Sequence, residues 1–400
     1  MAMLVKLIGI FALMVVMLQK KVKLGYVMLI AALVISIIFN IGIKNTIKVA
    51  FYTIIDKDTI KLIILLVLIM NLEKVMSNRR LMSKMVISLK NVVGDYKIAS
   101  LILPAIIGFL PSAGGAVFSA PMIEEVCSGI IVENDNKSFI NFWYRHVWEY
   151  VFPVYSALIL ASAILDVTIE KLVSFFYPYT ILNIIIGIPI AYHYFPKGVK
   201  DRPRDICKNL VKFISNSYPI TLILVLFFIL KIDIVITVLI ALFSLLAVEK
   251  IDILEFWDII KKDNSLTIIV TVIGIIYFKN MFVESAVIEK MPFIFYSMGI
   301  DDVYVALFLP LVIGILTGMM SAVVGITFPI VMNLSGNLDF NLITLAYVSG
   351  AAGMMMSPMH LCFTLTIEYF KADFNKVLIR VAIGQTFIIA CAVFDYLIFA

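Results

Sequence analysis

Residues 102–121 read ILPAIIGFLPSAGGAVFSAP, and the chain returns to the same pattern at residues 308–329, FLPLVIGILTGMMSAVVGITFP. Pro104 matches Pro310 and Gly108 matches Gly314 at one spacing, while Pro121 falls opposite Pro329 with two residues inserted. Each copy is apolar on both sides of a small-residue break. The arm before the break holds about 13 apolar residues, about 20 Å of helix, which is too short for a hydrocarbon core of about 30 Å. The pattern predicts two re-entrant helical hairpins, near 98–131 and 302–335.

Composition agrees with that setting. Hydrophobic residues make up 62% of the 400 and charged residues 15%, with a mean hydropathy of +1.07, so the chain reads as an all-α polytopic membrane protein whose first partner is the lipid bilayer. The net charge of +5 is spread over short loops with no soluble domain to form a groove, which argues against nucleic acid. The first apolar run has no small-residue cleavage site and reads as a retained helix rather than a leader. Cys127, Cys207, Cys362 and Cys391 lack metal-type spacing, so neither a disulfide nor a metal site is expected, and no cofactor. No zinc-protease, intramembrane-aspartyl or nucleophile-elbow motif occurs, which argues against an enzyme.

Outward from the first hairpin, spans are expected at 3–18, 24–41, 59–76, 139–165 and 169–195, with a surface-lying basic segment at 77–91. From 210 the pattern restarts: Leu210-Val211-Lys212 echoes Leu4-Val5-Lys6, and Lys290-Met291 echoes Lys84-Met85. Spans then fall near 206–230, 232–249, 265–283, 340–369 and 375–399, with a surface segment near 284–298. The chain divides into a first repeat (1–199), a polar connector (200–209) and a second repeat (210–400). If the Lys20–Lys23 turn is cytoplasmic, 23 of the 32 basic residues lie on that side, connector included. Each repeat has five spans, so the second enters from the opposite face. The repeats are inverted, and both chain ends are expected outside the cell membrane.

Inverted repeats with broken helices are the arrangement that builds a substrate site at the bilayer midplane. The hairpin tips offer Ser112, Gly114 and Gly115 in one copy and Thr317, Gly318 and Ser321 in the other: hydroxyls, free backbone groups and glycines that permit close approach. Prolines break the spans that follow, Pro153 in the first and Pro358 in the second, the latter beside Ser357 and His360. Glu149 stands four residues after Arg145. The two either share a helix face and neutralise each other, or Arg145 and His146 sit at the interface with only Glu149 deep. Glu124 and Glu125 belong either to the cavity wall or to the cytoplasmic side. His360, with an ordinary pKa near 6.5, is the best proton carrier; His193 reads as interfacial. The expected function is secondary active transport of a small organic anion by alternating access, with Na+ or H+ as the coupling ion. On the same scaffold Glu149 and His360 would serve a monovalent-cation/proton antiporter, and an inorganic anion would suit the same tips.

The two hairpins, each followed by a proline-broken span, resemble the ion transporter superfamily of secondary carriers over essentially the full chain. That group includes dicarboxylate, citrate, gluconate and lactate permeases, sodium/proton antiporters and arsenite carriers. The resemblance implies a scaffold and a transport domain, a homodimer through the scaffold, elevator-type access and coupling to sodium or protons. The dicarboxylate carriers are similar in having Ser-Asn-Thr tips, but here the tips are Pro111-Ser112-Ala113 and Thr317-Gly318-Met319, and Ser112 alone matches. The topology has a direct check. A periplasm-active reporter fused after Ala400 is expected to be active, and one inserted in the 200–209 connector inactive; the reverse pattern would invert the orientation.

Overall fold

A computed structural model of the protein describes residues 2–399 apart from 21, 82–83, 86–87, 89–91, 93–94, 110–114, 128–129, 196–204, 262–264, 286–298 and 335–336. Among the described residues every regular element is helical. The first half runs α1 (Ala2–Gln19), α2 (Leu24–Ile38), α3 (Ile43–Ile55), α4 (Lys57–Asn78), α5 (Tyr96–Gly108), α6 (Gly115–Val126), α7 (Asn134–Arg145), a tight turn Val147–Tyr150, α8 (Ser156–Leu165) and α9 (Ile169–His193). The second runs α10 (Ile206–Leu224) into a widened turn Val225–Ile229, then α11 (Ile234–Val248), α12 (Ile253–Ile260), α13 (Ser265–Glu284), α14 (Asp302–Thr317), α15 (Met320–Val331), α16 (Phe340–Met355), α17 (Leu361–Phe370) and α18 (Phe374–Phe399).

Among the described residues three helices are long and apolar enough to cross a membrane: α9, α10 with its widened turn, and α18. The pair α11 and α12, bent by 119°, makes a fourth if counted as one span. The other apolar helices, α2, α5, α8 and α14 to α17, have 10–17 residues each. Many of the spans read from sequence therefore exist as shorter helices, the proline- and glycine-bearing ones as joined pairs. Both expected hairpins have two arms, α5 with α6 and α14 with α15. The tip of the first, with Ser112 and Gly114, lies outside the described residues, as do the connector's residues 200–204 and most of the second surface segment.

The span read at 24–41 forms as α2, which ends at Ile38; Asn40 then takes a left-handed φ of 56°, and a separate helix α3, not assigned from sequence, begins at Ile43. It leaves Ile43, Ile47 and Phe51 exposed and buries Thr53, the profile of a helix lying in an interface. Its lysines, Lys44 and Lys48, interrupt the apolar run and hid it from a hydropathy reading. In the second half α12 is the same kind of element, short and without a buried residue. In contrast, α9 runs unbroken through Pro178 and Pro189, because neighbouring helices can compensate a lost backbone bond inside a packed bundle.

Aspartates set several helix starts. Asp56, Asp95, Asp233, Asp252 and Asp339 each accept from backbone N–H groups of the helix that follows. Packing then crosses between the halves: α2 lies on α13 and α4 on α11, while α6 lies on α17 and α15 on α8. Within each half the first hairpin arm lies on the first part of the broken span, α5 on α7 and α14 on α16. The ion pairs sit near chain turns. One set joins Arg79 to Glu255, Lys137 to Glu124, Lys376 to Asp135 and Arg380 to Glu133; Lys61 pairs with Asp233 elsewhere. The Lys137 pair takes Glu124 out of the cavity wall, with its side chain 52% exposed.

The glycines that repeat in sequence have one packing role. A Cβ on Gly108 would overlap the Arg145 carbonyl, and a Cβ on Gly314 would come 2.5 Å from Gly350 O and 2.6 Å from Met354 N. In both cases the obstacle is the backbone of the neighbouring broken span, so the small residue sets the interhelix distance. Gly314→Ala is therefore expected to destabilise by about 1–3 kcal/mol, lowering the thermal midpoint in detergent. Gly9→Ala, with nothing within 4 Å, is expected to leave it unchanged or slightly raised. Equal midpoints for the two variants would refute the close-packing role.

Candidate functional site

The site is built from the two interrupted spans. In the first, α7 ends at Arg145, the chain makes a tight turn through Val147–Tyr150 and an irregular passage over Pro153, and α8 starts at Ser156. In the second, α16 ends at Met355 and α17 starts at Leu361, with Pro358 in the same place. The residue just before the second helix is Tyr155 in one and His360 in the other.

Each break caps the hairpin arm beside it. The last carbonyls of a helix have no partner within it, and α5 and α14 both end inside the protein. Trp148 Nε1 donates to Ala105 O at 2.6 Å and the Tyr155 hydroxyl to Gly108 O at 2.5 Å, covering the end of α5. At α14, Ser357 Oγ donates to Ile315 O at 2.6 Å, and His360 Nδ1 lies 2.9 Å from Gly318 O. Tyr155 and His360 thus do the same job in the two halves.

The breaks also meet each other. His146 Nε2 and His360 Nε2 are 3.1 Å apart, Arg145 Nη1 donates to Cys362 Sγ at 2.9 Å, and the Tyr347 hydroxyl donates to Glu149 O at 2.8 Å. One layer away, Asn141 Nδ2 donates to Thr366 Oγ1 at 3.0 Å. Between the breaks and the tip of the second hairpin is a cavity of about 170 Å³, whose wall includes Arg145, His146, Glu149, Tyr155, Gly318, Ser321, His360 and Cys362. Arg145, His146, Glu149, His360 and Cys362 are each only 4–8% exposed. Arg145 and His146 are thus as buried as Glu149, because α7 stops at the cavity.

The expected site residues divide accordingly. Gly318, Ser321, Arg145, Glu149 and His360 line the cavity. Thr317, Ser357 and Pro358 do not: the Thr317 hydroxyl donates to Ile313 O at 2.7 Å, Ser357 holds the hairpin carbonyl, and Pro358 faces outward. Their work is to shape the breaks. Gly115 begins α6, and Ser112 and Gly114 lie outside the described residues. His193 is exposed at the end of α9. The cavity wall also holds Tyr155 and Cys362 from the breaks and Met319 and Met320 from the hairpin tip, to which sequence assigned no site role, and Met354, which it did not single out. Wider clefts of about 570 and 410 Å³ lie elsewhere, beside the turns at Asp56–Asp58 and Asp166. Their walls combine these turns with helix residues such as Leu62, Ala163 and, in the wider one, Lys279.

Gly318 is the hinge of the second hairpin, with φ +64°, and a Cβ there would lie 2.7 Å from His360 N. Gly318→Ala is expected to cost about 1–3 kcal/mol through combined backbone strain and overlap. Gly299→Ala, with φ +69° and nothing within 4 Å, isolates the strain alone and is expected to cost less. A Gly318 variant no less stable than the Gly299 variant, in thermal unfolding of the purified protein, would mean that the hairpin tip is not locked to the break.

No curated protein matches the chain. A family model described as "Protein of unknown function (DUF401)" matches residues 3–399. With helices, hairpins and breaks distributed along that whole length, the chain belongs to the DUF401 family.

Proposed function

We propose that the protein is a secondary active carrier for a small organic anion, a carboxylate, working in the cell membrane by alternating access and coupled to H+ or Na+. The observation that carries the reading is the meeting of two broken spans at their breaks, around a partly open cavity lined by a buried guanidinium, Arg145. Irregular backbone at membrane depth is tolerated where it lines a cavity, and a buried charge there marks a ligand path. The N-terminus of α15, at Met320 and Ser321, opens on the same space and adds a positive helix end. A volume of about 170 Å³ suits a solute of a few heavy atoms.

The inverted-repeat reading draws support from the exchange of partners between halves, α2 with α13 against α4 with α11, and α6 with α17 against α15 with α8. It draws further support from Tyr155 and His360, which cap matching hairpin arms from matching positions. An elevator-type motion of the hairpins and broken spans against a dimeric scaffold, with both chain ends outside, belongs to the same proposal and follows from the superfamily resemblance.

The test is counterflow of radiolabelled small carboxylates in proteoliposomes, under imposed proton or sodium gradients. Saturable, gradient-dependent uptake of one anion is expected, with Arg145→Lys lowering it at least tenfold while the protein remains folded. Cation- or pH-dependent flux without any anion would replace this reading with a cation/proton antiporter.

A further inference from the structure

We propose that His146, His360 and Cys362 form a binding site for a borderline-to-soft first-row transition-metal ion, Zn2+ or Cu+. The first observation is what the far nitrogens of the two rings do. His146 Nδ1 lies 2.6 Å from Phe142 O and His360 Nδ1 lies 2.9 Å from Gly318 O. A carbonyl can only accept, so each Nδ1 carries the hydrogen. Each neutral ring then turns a bare Nε2 lone pair towards the other at 3.1 Å. Two lone pairs facing each other repel, and the arrangement calls for an electrophile between them.

The second observation is a third donor. Cys362 Sγ and the two Nε2 atoms all lie within 4.8 Å of one another, on three buried residues. Cys362 Sγ accepts from Arg145 Nη1 at 2.9 Å, and a neighbouring guanidinium favours the thiolate that a metal needs; a shared proton would engage the nitrogens alone, whereas a metal ion engages all three donors. Metal-binding histidines characteristically donate their other ring N–H to a carbonyl, which fixes tautomer and orientation, and both rings here do so. Bonds of about 2.0 Å to nitrogen and 2.3 Å to sulfur require donors about 3.3–3.6 Å apart. The nitrogens, 3.1 Å apart, are near that distance, and the sulfur lies within 4.8 Å of both.

The donor set selects the ion. Two imidazoles and a thiol suit zinc or monovalent copper and do not suit Mg2+ or Ca2+, which take oxygen. Met319, Met320 and Met354 add soft sulfur to the cavity wall. Three protein ligands leave a fourth position, which opens on the cavity and admits water or a small anion. The chain brings the three together only in the folded state, since the histidines are 214 residues apart.

The experiment uses the full chain in detergent, purified through a tag without histidine, stripped with chelator, loaded with Zn2+ or Co2+ and desalted. Elemental analysis is expected to find one equivalent of zinc per chain, and Co2+ to give a thiolate-to-cobalt charge-transfer band. Cys362→Ser should abolish the band, and His360→Gln should weaken metal binding by about 100-fold or more, exceeding the 10–100-fold loss typical of a supporting partner. Cys391→Ser, a cysteine on α18 away from the cavity, should keep both. A wild-type chain that binds no stoichiometric metal, or a cobalt spectrum without the thiolate band, overturns the site and leaves the imidazoles sharing a proton. Because the measurement needs neither an anion nor a gradient, it can fail while the carrier reading stands, and the reverse.

Discussion

Two helices that end in the middle of a protein must have their last carbonyls satisfied there, and much of this architecture answers that demand. In water or at a membrane surface such groups would be solvated. Buried, each costs free energy comparable to a lost hydrogen bond. The arms α5 and α14 stop short of a full crossing, and side chains from the broken spans beside them supply the donors: Trp148 and Tyr155 for one, Ser357 and His360 for the other. The breaks in the spans are thus required by the hairpins as much as by any ligand. A continuous helix over 147–155 or 356–360 would keep its backbone to itself and turn these side chains elsewhere.

Once the breaks exist, charge can be placed deep. Arg145, at the last residue of α7, reaches the cavity because the helix ends there, and its neighbour His146 meets His360 for the same reason. The mutual proximity of the two breaks comes from the exchange of helices between halves, which puts α6 on α17 and α15 on α8. Neither half encloses the cavity alone. Gly108 and Gly314 complete the arrangement by letting each arm approach the backbone of its broken span.

The carrier reading and the metal reading draw on different parts of this centre. The first needs a cavity with a cation and a helix N-terminus facing it; the second needs three donor atoms with fixed lone pairs. They share His360, which caps the hairpin with Nδ1 and faces His146 with Nε2. Any movement of the second hairpin that carries Gly318 away would also free that ring to turn, so the donor geometry and the hairpin position are mechanically joined.

Much of the fold was legible in the sequence because it depends on local rules. Short apolar arms, prolines at matched spacing and glycines at fixed offsets determine where helices stop, and those signals placed the helix pairs α5 with α6 and α14 with α15 and the breaks at Pro153 and Pro358. The interfacial helix α3 was missed because its lysines break the apolar run, and only packing distinguishes such a helix from a loop. The site was half legible. Ionisable residues inside apolar spans stand out, so Glu149, Arg145 and His360 could be singled out, but the burial of Arg145 depended on where α7 ends. Tyr155 and Cys362 carry no local signal at all. Their meaning depends on which carbonyl or which histidine lies opposite, and that was decided by the tertiary structure, because partners about 200 residues apart are set by how whole helices pack rather than by spacing along the chain.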